Sequence, residues 1–345
     1  MKKIYFWVKY KIRYSVPEIV WNFFSSKISS IRYNYYLEKS KSFGDANPET
    51  IFYVIRRRPP GWGYFSNLFH VAQGLLYAEE KGYTPIVDMQ NYWMAELNSL
   101  KKINGTHNSW CYFFEQVSNH TLEEVYSSKN VILSDGVDIL GRDHWLTMRT
   151  NRFILDREKL IKIKKLFSSH LFVNAPTLEF VENEKKIRNW ESSSTLGIFI
   201  RGTNYYGSTT FLPESIPDFN FFVSEIKNIL FKNKNIDKIF ICTEDYRGYL
   251  TLKKEFENYE IIPSIRFRTD LSLDEWVTSQ ELTHDGGILM GFDKTLRYLA
   301  EVLLLGECDY FIGTPSNASA FVLTRSDLDS GDHRIILRDN VFCFN

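Results

Sequence analysis

Arg201 follows a short apolar run, Leu196, Ile198, Phe199 and Ile200, and gives way at once to Gly202-Thr203-Asn204. A buried strand that stops in this way delivers one guanidinium to the carboxyl edge of a sheet, where α/β proteins bind ligands. The group is always charged, and its planar fork of donors matches a phosphate or pyrophosphate. A strand-end arginine in a surface ion pair would look the same in isolation. Two distant segments weigh against that reading. Upstream, the strand pattern of residues 51–58 runs into Pro59-Pro60-Gly61-Trp62-Gly63-Tyr64-Phe65-Ser66-Asn67, then into a helical pattern in which Leu68, Val71, Leu75 and Ala78 share a face and Gly82 is the stop. Glycines let backbone approach a ligand closely, and a helix start offers N–H groups to an anion. Ser66 or Asn67 capping the helix is the plain alternative. Downstream, the strand pattern Glu307–Gly313 leads into Thr314-Pro315-Ser316-Asn317-Ala318-Ser319 and an apolar helix. Small hydroxyls at a helix start make another seat for phosphate, or a capped turn without a ligand.

The elements that must position these loops alternate. Strand patterns at 84–89, 130–134, 195–201, 237–243, 259–264 and 309–313 are separated by helical ones at 219–232, 246–257 and 292–306. Two further helical patterns lie between Asp156 and about Asn189, with an interruption near Asn174–Pro176. Such alternation means βαβ units and parallel sheets. The charged, serine-rich stretch Glu182–Ser194 reads as a boundary. It divides the chain into a segment 1–44, an N-terminal Rossmann-like domain 45–185 and a C-terminal Rossmann-like domain 186–345.

Four motifs, taken in order, resemble the fucosyltransferase superfamily, which includes α1,6-, α1,2- and protein O-fucosyltransferases and bacterial relatives. They are Gly63-x-x-x-Asn67, Arg201-Gly-Thr-Asn204, Ile239-Phe-Ile-Cys-Thr-Glu-Asp245 and Cys308-Asp-x-Phe-Ile-Gly-Thr-x-Ser316. The resemblance spans roughly residues 50–325. It implies a GT-B arrangement, two parallel-sheet domains facing across a cleft, with a nucleotide sugar, GDP-fucose, bound by the C-terminal domain. It implies inverting, metal-independent transfer to the hydroxyl of a glycan or lipid-linked glycan. Arg201 would bind the β-phosphate, while Thr203, Thr314, Ser316 and Asn317 would add donors. Gly63 and Asn67 would line the sugar site, and Phe199 and Glu301 fall where relatives contact guanine. Glu244 and Asp245 align with candidates for acceptor activation, and Asp88 is a third.

The chain departs from that pattern at several points. Phe199 stands where many relatives carry a base-reading histidine, Gly202 where some carry a second arginine, Asn204 where others have aspartate, and Trp62 where some have an acid. A transferase using another nucleotide sugar, and a non-catalytic nucleotide-sugar or glycan-binding module, therefore stay open. A dinucleotide enzyme is the weaker alternative, since Gly61-x-Gly63-x-x-Ser66 only approximates that fingerprint.

Composition agrees. The 345 residues hold 42 basic and 42 acidic side chains, so nothing points to nucleic acid. Four scattered cysteines form no metal or redox spacing. The one Asp-x-Asp triplet, Asp327-Leu328-Asp329, reads as a surface loop, and no cofactor or metal is called for. The sequons at Asn104, Asn119 and Asn317 carry no weight, because the last lies inside the proposed phosphate loop. Residues 1–36 hold seven Lys/Arg against one acid, interleaved with 11 aromatics. They show no membrane-spanning run and no secretory signal pattern. This segment either lies on an anionic membrane face or packs on the body as a helical layer. With the bacterial relatives, these features imply a cytoplasmic protein, with peripheral contact at the inner membrane face as one reading of that segment.

Overall fold

Two open sheets, each wound around a central parallel pair, organise the computed structural model. The structure describes residues 38–57, 63–90, 102–134, 157–201, 217–268, 281–283, 288–289, 291–326, 333–336 and 341–343. The first sheet contains β1 (Lys39–Lys41), β2 (Ala46–Arg56), β3 (Thr84–Asp88) and β4 (Ser128–Leu133), in the order β1-β4-β2-β3. β2 is parallel to β3 and β4, and β1 is antiparallel to β4. Between β2 and β3 runs α1 (Tyr64–Lys81), which buries Leu68, Val71, Ala72, Leu75 and Ala78. It stops at Gly82, whose left-handed φ of 67° brings its N–H back onto the last turn. The short α2 (Leu122–Val125) carries a capping box between Thr121 and Glu124.

Next come α3 (Arg157–His170) and α4 (Ala175–Ile187), the latter capped by Asn174, whose side chain accepts from Thr177 N at 3.1 Å. The second sheet is made of β5 (Thr195–Ile200), α5 (Phe219–Lys232), β6 (Lys238–Thr243), α6 (Tyr246–Glu255) and β7 (Glu260–Pro263). A small antiparallel sheet then forms from β8 (Arg266–Arg268), β9 (Glu281–Thr283) and β10 (Ile288–Leu289). The chain returns through α7 (Gly291–Leu305), β11 (Tyr310–Gly313), α8 (Asn317–Arg325), β12 (His333–Ile336) and β13 (Val341–Cys343). The strand order is β13-β12-β11-β5-β6-β7, parallel except for β13.

Both faces of this second sheet are covered, which is why its central strands read as unbroken apolar runs. Leu196, Ile198 and Ile200 of β5 pack with Ile239 and Ile241 of β6 beneath α5 and α6. Phe199, Phe240 and Cys242 point to the opposite face, into a core shared with α7, α8, α1 and α3 and with Tyr53 and Ile55 of β2. The two sheets thus meet through helices: α8 packs on α1, α3 and α7, and α4 packs on α7. The expected strands and helices are found within a few residues of their anticipated bounds. Four differences stand out. β2 starts at Ala46, five residues early; the three-stranded sheet and the β12–β13 pair are additions; and α4 runs through the first half of the stretch read as a boundary. Residues 1–36 and the Asp327-Leu328-Asp329 triplet lie outside the described residues.

Candidate functional site

The second sheet grows from β5 through β6 to β7 in one direction, and from β11 to β12 in the other. The crevice outside the carboxyl ends of β5 and β11 is therefore the topological switch point, where open α/β sheets bind ligands. Arg201 directly follows β5, and Thr314-Pro315-Ser316 directly follows β11. Parallel register pairs Gly313 with Phe199, so the strand ends are level. Two bonds lock them: Thr314 N donates to Phe199 O at 2.9 Å, and Arg201 N donates to Thr314 Oγ1 at 3.0 Å. α8 starts at Asn317, so its N-terminal N–H groups and the positive end of its dipole lie at the same crevice.

Small hydroxyls shape this loop. Ser316 caps α8: its Oγ accepts from Ser319 N at 3.0 Å and contacts Ser319 Oγ at 3.0 Å. Ser319 Oγ in turn donates to Thr314 O at 2.6 Å. Thr314 and Ser316 are buried. Both hydroxyls take part in the turn: Thr314 Oγ1 accepts from Arg201 N, and Ser316 Oγ from Ser319 N. Arg201 and Asn317 are partly exposed at this crevice, and the first N–H groups of α8 start there.

The other sheet contributes the start of α1. Gly63 is the N-cap residue with φ −56° and no side-chain cap bond, so neither Ser66 nor Asn67 caps the helix as the alternative reading had it. A Cβ at Gly63 would meet nothing within 4 Å. Asn67 is buried and its Nδ2 donates to Gly63 O at 3.3 Å, within its own turn. Ser66 reaches across instead. Its Oγ accepts from Asn317 Nδ2 at 2.5 Å, a bond between residues 251 apart in sequence that ties the first turn of α1 to the first turn of α8. At the carboxyl end of β2, Arg56 donates to Ser134 O through Nε at 3.0 Å. Buried Arg57 donates from Nη1 to His70 Nδ1 at 3.1 Å, while His70 Nε2 donates to Arg56 O at 2.8 Å, which places the imidazole proton on Nε2. His70 and Ser134 had no motif to mark them, and Ser66 was marked only as a candidate cap and as the end of a loose glycine fingerprint. Only the packing of α1 and β4 against β2 brings them here.

The two positions assigned to the base are closed. Phe199 is 3% exposed, with its ring near-parallel to Tyr298 at 6.4 Å. Tyr298 meets Phe65 of α1 edge-on at 4.9 Å, and the Arg266 guanidinium lies 3.8 Å over its centroid. Glu301 is fully buried on α7. One carboxyl oxygen accepts from Ser264 Oγ at 2.5 Å and Ile265 N at 2.7 Å, and the other from Arg266 Nε at 2.9 Å. Burial pushes this carboxyl above its ordinary range, against the pull of Arg266, Ser264 and the Ile265 N–H. The expectation of a direct base contact by Glu301 is corrected, because its oxygens already hold the β7–β8 junction. The apolar neighbours Val302–Leu305 mark a buried face rather than a ligand-facing one.

Glu244 and Asp245 follow β6, beside β5, as anticipated. Asp245 is the N-cap of α6, accepting from Arg247 N at 3.0 Å, so its carboxylate has a structural task. Glu244 is partly exposed. Asp88, at the end of β3, accepts from Gln90 N at 2.9 Å and from the Tyr126 hydroxyl at 2.5 Å, which occupies both of its oxygens in a buried turn. Thr203 and Asn204 lie outside the described residues. Among the described residues no group of three or more His, Cys, Asp or Glu could hold a metal ion, and no helix is long and apolar enough to cross a membrane.

No family model and no curated protein matches the chain. Solved structures do. Fucosyltransferase NodZ from Bradyrhizobium is 14% identical with a TM-score of 0.48, covering 86% of this chain and 99% of that one. An arginine-to-lysine mutant of Arabidopsis thaliana FUT1 in complex with GDP is 12% identical with a TM-score of 0.43, covering 84% and 70%. POFUT1 in complex with GDP-fucose is 8% identical with a TM-score of 0.34, covering 80% and 70%.

Proposed function

We propose that the chain is an inverting, metal-independent glycosyltransferase that moves a sugar, L-fucose from GDP-fucose, onto a hydroxyl of a glycan or lipid-linked glycan. One observation carries the reading. Arg201 and the start of α8 converge at the switch point of a doubly wound sheet, and the first turn of α1 meets them there from the other sheet. Departure of a nucleoside diphosphate needs its developing charge neutralised by fixed donors. A guanidinium paired with the β-phosphate oxygens and the N-terminal N–H groups of α8 supply that without reorganisation. Glu244, following β6 beside the strand that delivers Arg201, would deprotonate the acceptor hydroxyl, with Asp245 next to it as the other candidate. The domain of residues 45–185, which holds the first sheet apart from β1, would form the acceptor side, and residues 186–345 the donor side. The protein would work in the cytoplasm, with residues 1–36 touching the inner membrane face.

The burial of Phe199 and Glu301 favours a second reading, the same reaction with a nucleotide sugar other than GDP-fucose. A thermal-shift series with GDP, UDP, ADP and CDP on the wild type and Arg201→Ala decides between them. A ligand at a hundred times its Kd adds about 2.7 kcal/mol of stability. A shift with GDP, lost in Arg201→Ala, supports the GDP-fucose reading. A shift with another diphosphate alone removes fucose and keeps the transferase. No shift with any of them rejects the donor site.

A further inference from the structure

We infer that a cavity between α4, α7 and the turn of residues 103–106 binds one pyranose ring of the glycan acceptor. The inference rests on the transferase reading above and adds to it a seat for the second substrate. The cavity measures about 300 Å³, at the small end of the range of ligand sites and enough for a single sugar ring. Its position follows from the course of α7, which runs antiparallel to β5. Leu305, at the end of α7, lies against Gly197, and Tyr298 stacks on Phe199. Phe292, in the first turn of α7, therefore lies beyond the carboxyl end of β5, the end that carries Arg201. Phe113 joins the cavity to the start of α1. Its ring stacks on Phe292 at 5.1 Å, 7° from parallel, and meets Tyr64 of α1 edge-on at 5.5 Å.

The lining combines aromatic surface with a polar rim. Half-buried Phe180 and Phe292 supply the aromatic part, and the negative face of such a ring attracts the slightly positive C–H bonds of a sugar. Around them stand Asn104, Glu179 and Asn183, all exposed, and among the described residues none of these side chains makes a hydrogen bond or ion pair. Thr177 lies deeper, 1% exposed, and its Oγ1 has no hydrogen-bond partner among the described residues. Two amides and a carboxylate offer donors and acceptors together, as sugar hydroxyls require. Among the described residues no lysine, arginine or histidine lines the cavity, so a phosphate would meet a carboxylate without a cation. An acyl chain would take the polar rim out of water and leave it unpaired. A neutral polyol with an apolar face matches both parts. The walls are fixed before a ligand arrives. Asn104 and Gly105, at φ 50° and 75°, form a two-residue turn closed by Ile103 N to Thr106 O at 3.0 Å and Thr106 N to Ile103 O at 3.1 Å. Asn174, the cap of α4, donates from Nδ2 to Cys111 O at 3.2 Å and from its backbone N–H to Phe113 O at 3.0 Å.

The test is saturation-transfer NMR of the full chain with the methyl glycosides of glucose, galactose, mannose and N-acetylglucosamine, and with octanoate, on the wild type, Glu179→Ala, Asn183→Ala and Lys186→Ala. Thermal shifts with GDP, UDP, ADP and CDP are measured on the same proteins. The expected result is transfer to the ring C–H protons of at least one glycoside. Glu179→Ala should weaken that binding about tenfold, the worth of a hydrogen bond to a charged group, and Asn183→Ala about fivefold. Lys186→Ala, exposed on the same helix but away from the cavity lining, should match wild type, and the nucleotide shifts should be equal in all four. Glycoside binding that is equal in all variants overturns the inference, as does transfer to no glycoside or to octanoate alone; a nucleotide shift that persists leaves the proposed function standing. A wild type that shifts with no nucleoside diphosphate overturns the proposed function, and the inference with it.

Discussion

Replacing Glu301 by alanine tests whether this carboxylate is a structural tie or a ligand contact. Its three partners are all donors: the Ser264 hydroxyl, the Ile265 N–H and the Arg266 Nε–H. That is the environment of an ionised carboxylate, and the side chains of Glu301 and Arg266 are 1% and 4% exposed. Removing one member of a buried pair leaves the other as an uncompensated charge, at about 3–5 kcal/mol. Native stabilities are about 5–15 kcal/mol, so Glu301→Ala should take away a large fraction of the total. Urea unfolding at pH 7.5 measures the loss. The double variant Glu301→Met with Arg266→Met should recover most of it, since an apolar pair of similar volume replaces an ion pair with little net cost. Burial raises the Glu301 carboxyl above its ordinary value of 4.5, so the native state holds that proton more tightly than the unfolded chain. The stability this confers is fully present below pH 4.5 and is lost as pH rises through the folded value. Wild type should therefore lose stability relative to Glu301→Gln as pH rises through that window. A Glu301→Ala loss under about 1 kcal/mol, or a double variant no better than the single one, would refute the buried-pair account.

Asp245→Ala should cost about 1 kcal/mol in urea unfolding, the usual worth of a helix cap, with turnover little changed; abolished turnover at near-wild-type stability would return Asp245 to the chemistry. Gly197→Ala should destabilise by roughly 1–3 kcal/mol, because its Cβ would lie 2.8 Å from Leu305 Cδ2 and 3.0 Å from Cys308 Sγ; a neutral result in thermal melting would show that α7 moves aside freely. The Cys111 thiol, pushed up to about 11 by burial and by the nearby Glu115 and Asp88 carboxylates, should alkylate with iodoacetamide at pH 8 far more slowly than in the unfolded chain. The thiolate fractions give a ratio of about a hundredfold, read by peptide mass spectrometry, and equal rates would show the site is open.

What the sequence determined was local or periodic. The apolar runs of β5 and β6 are continuous because both faces of a parallel sheet are covered, so the strands and their ends were legible, and Arg201 with them. Gly82 marked the end of α1 because only glycine adopts its left-handed backbone cheaply. Tertiary structure decided what each polar group does. Ser316 and Asp245 sit in motifs but serve as caps, and Glu301 lies on an amphipathic helix whose buried face carries an ion pair that no spacing reveals. Ser66 and Asn317, 251 residues apart, meet because the carboxyl ends of two different sheets are brought together by packed helices. A one-dimensional pattern records which face a residue takes in its own element. It does not record which element will stand opposite, and that pairing assigns the hydrogen bonds.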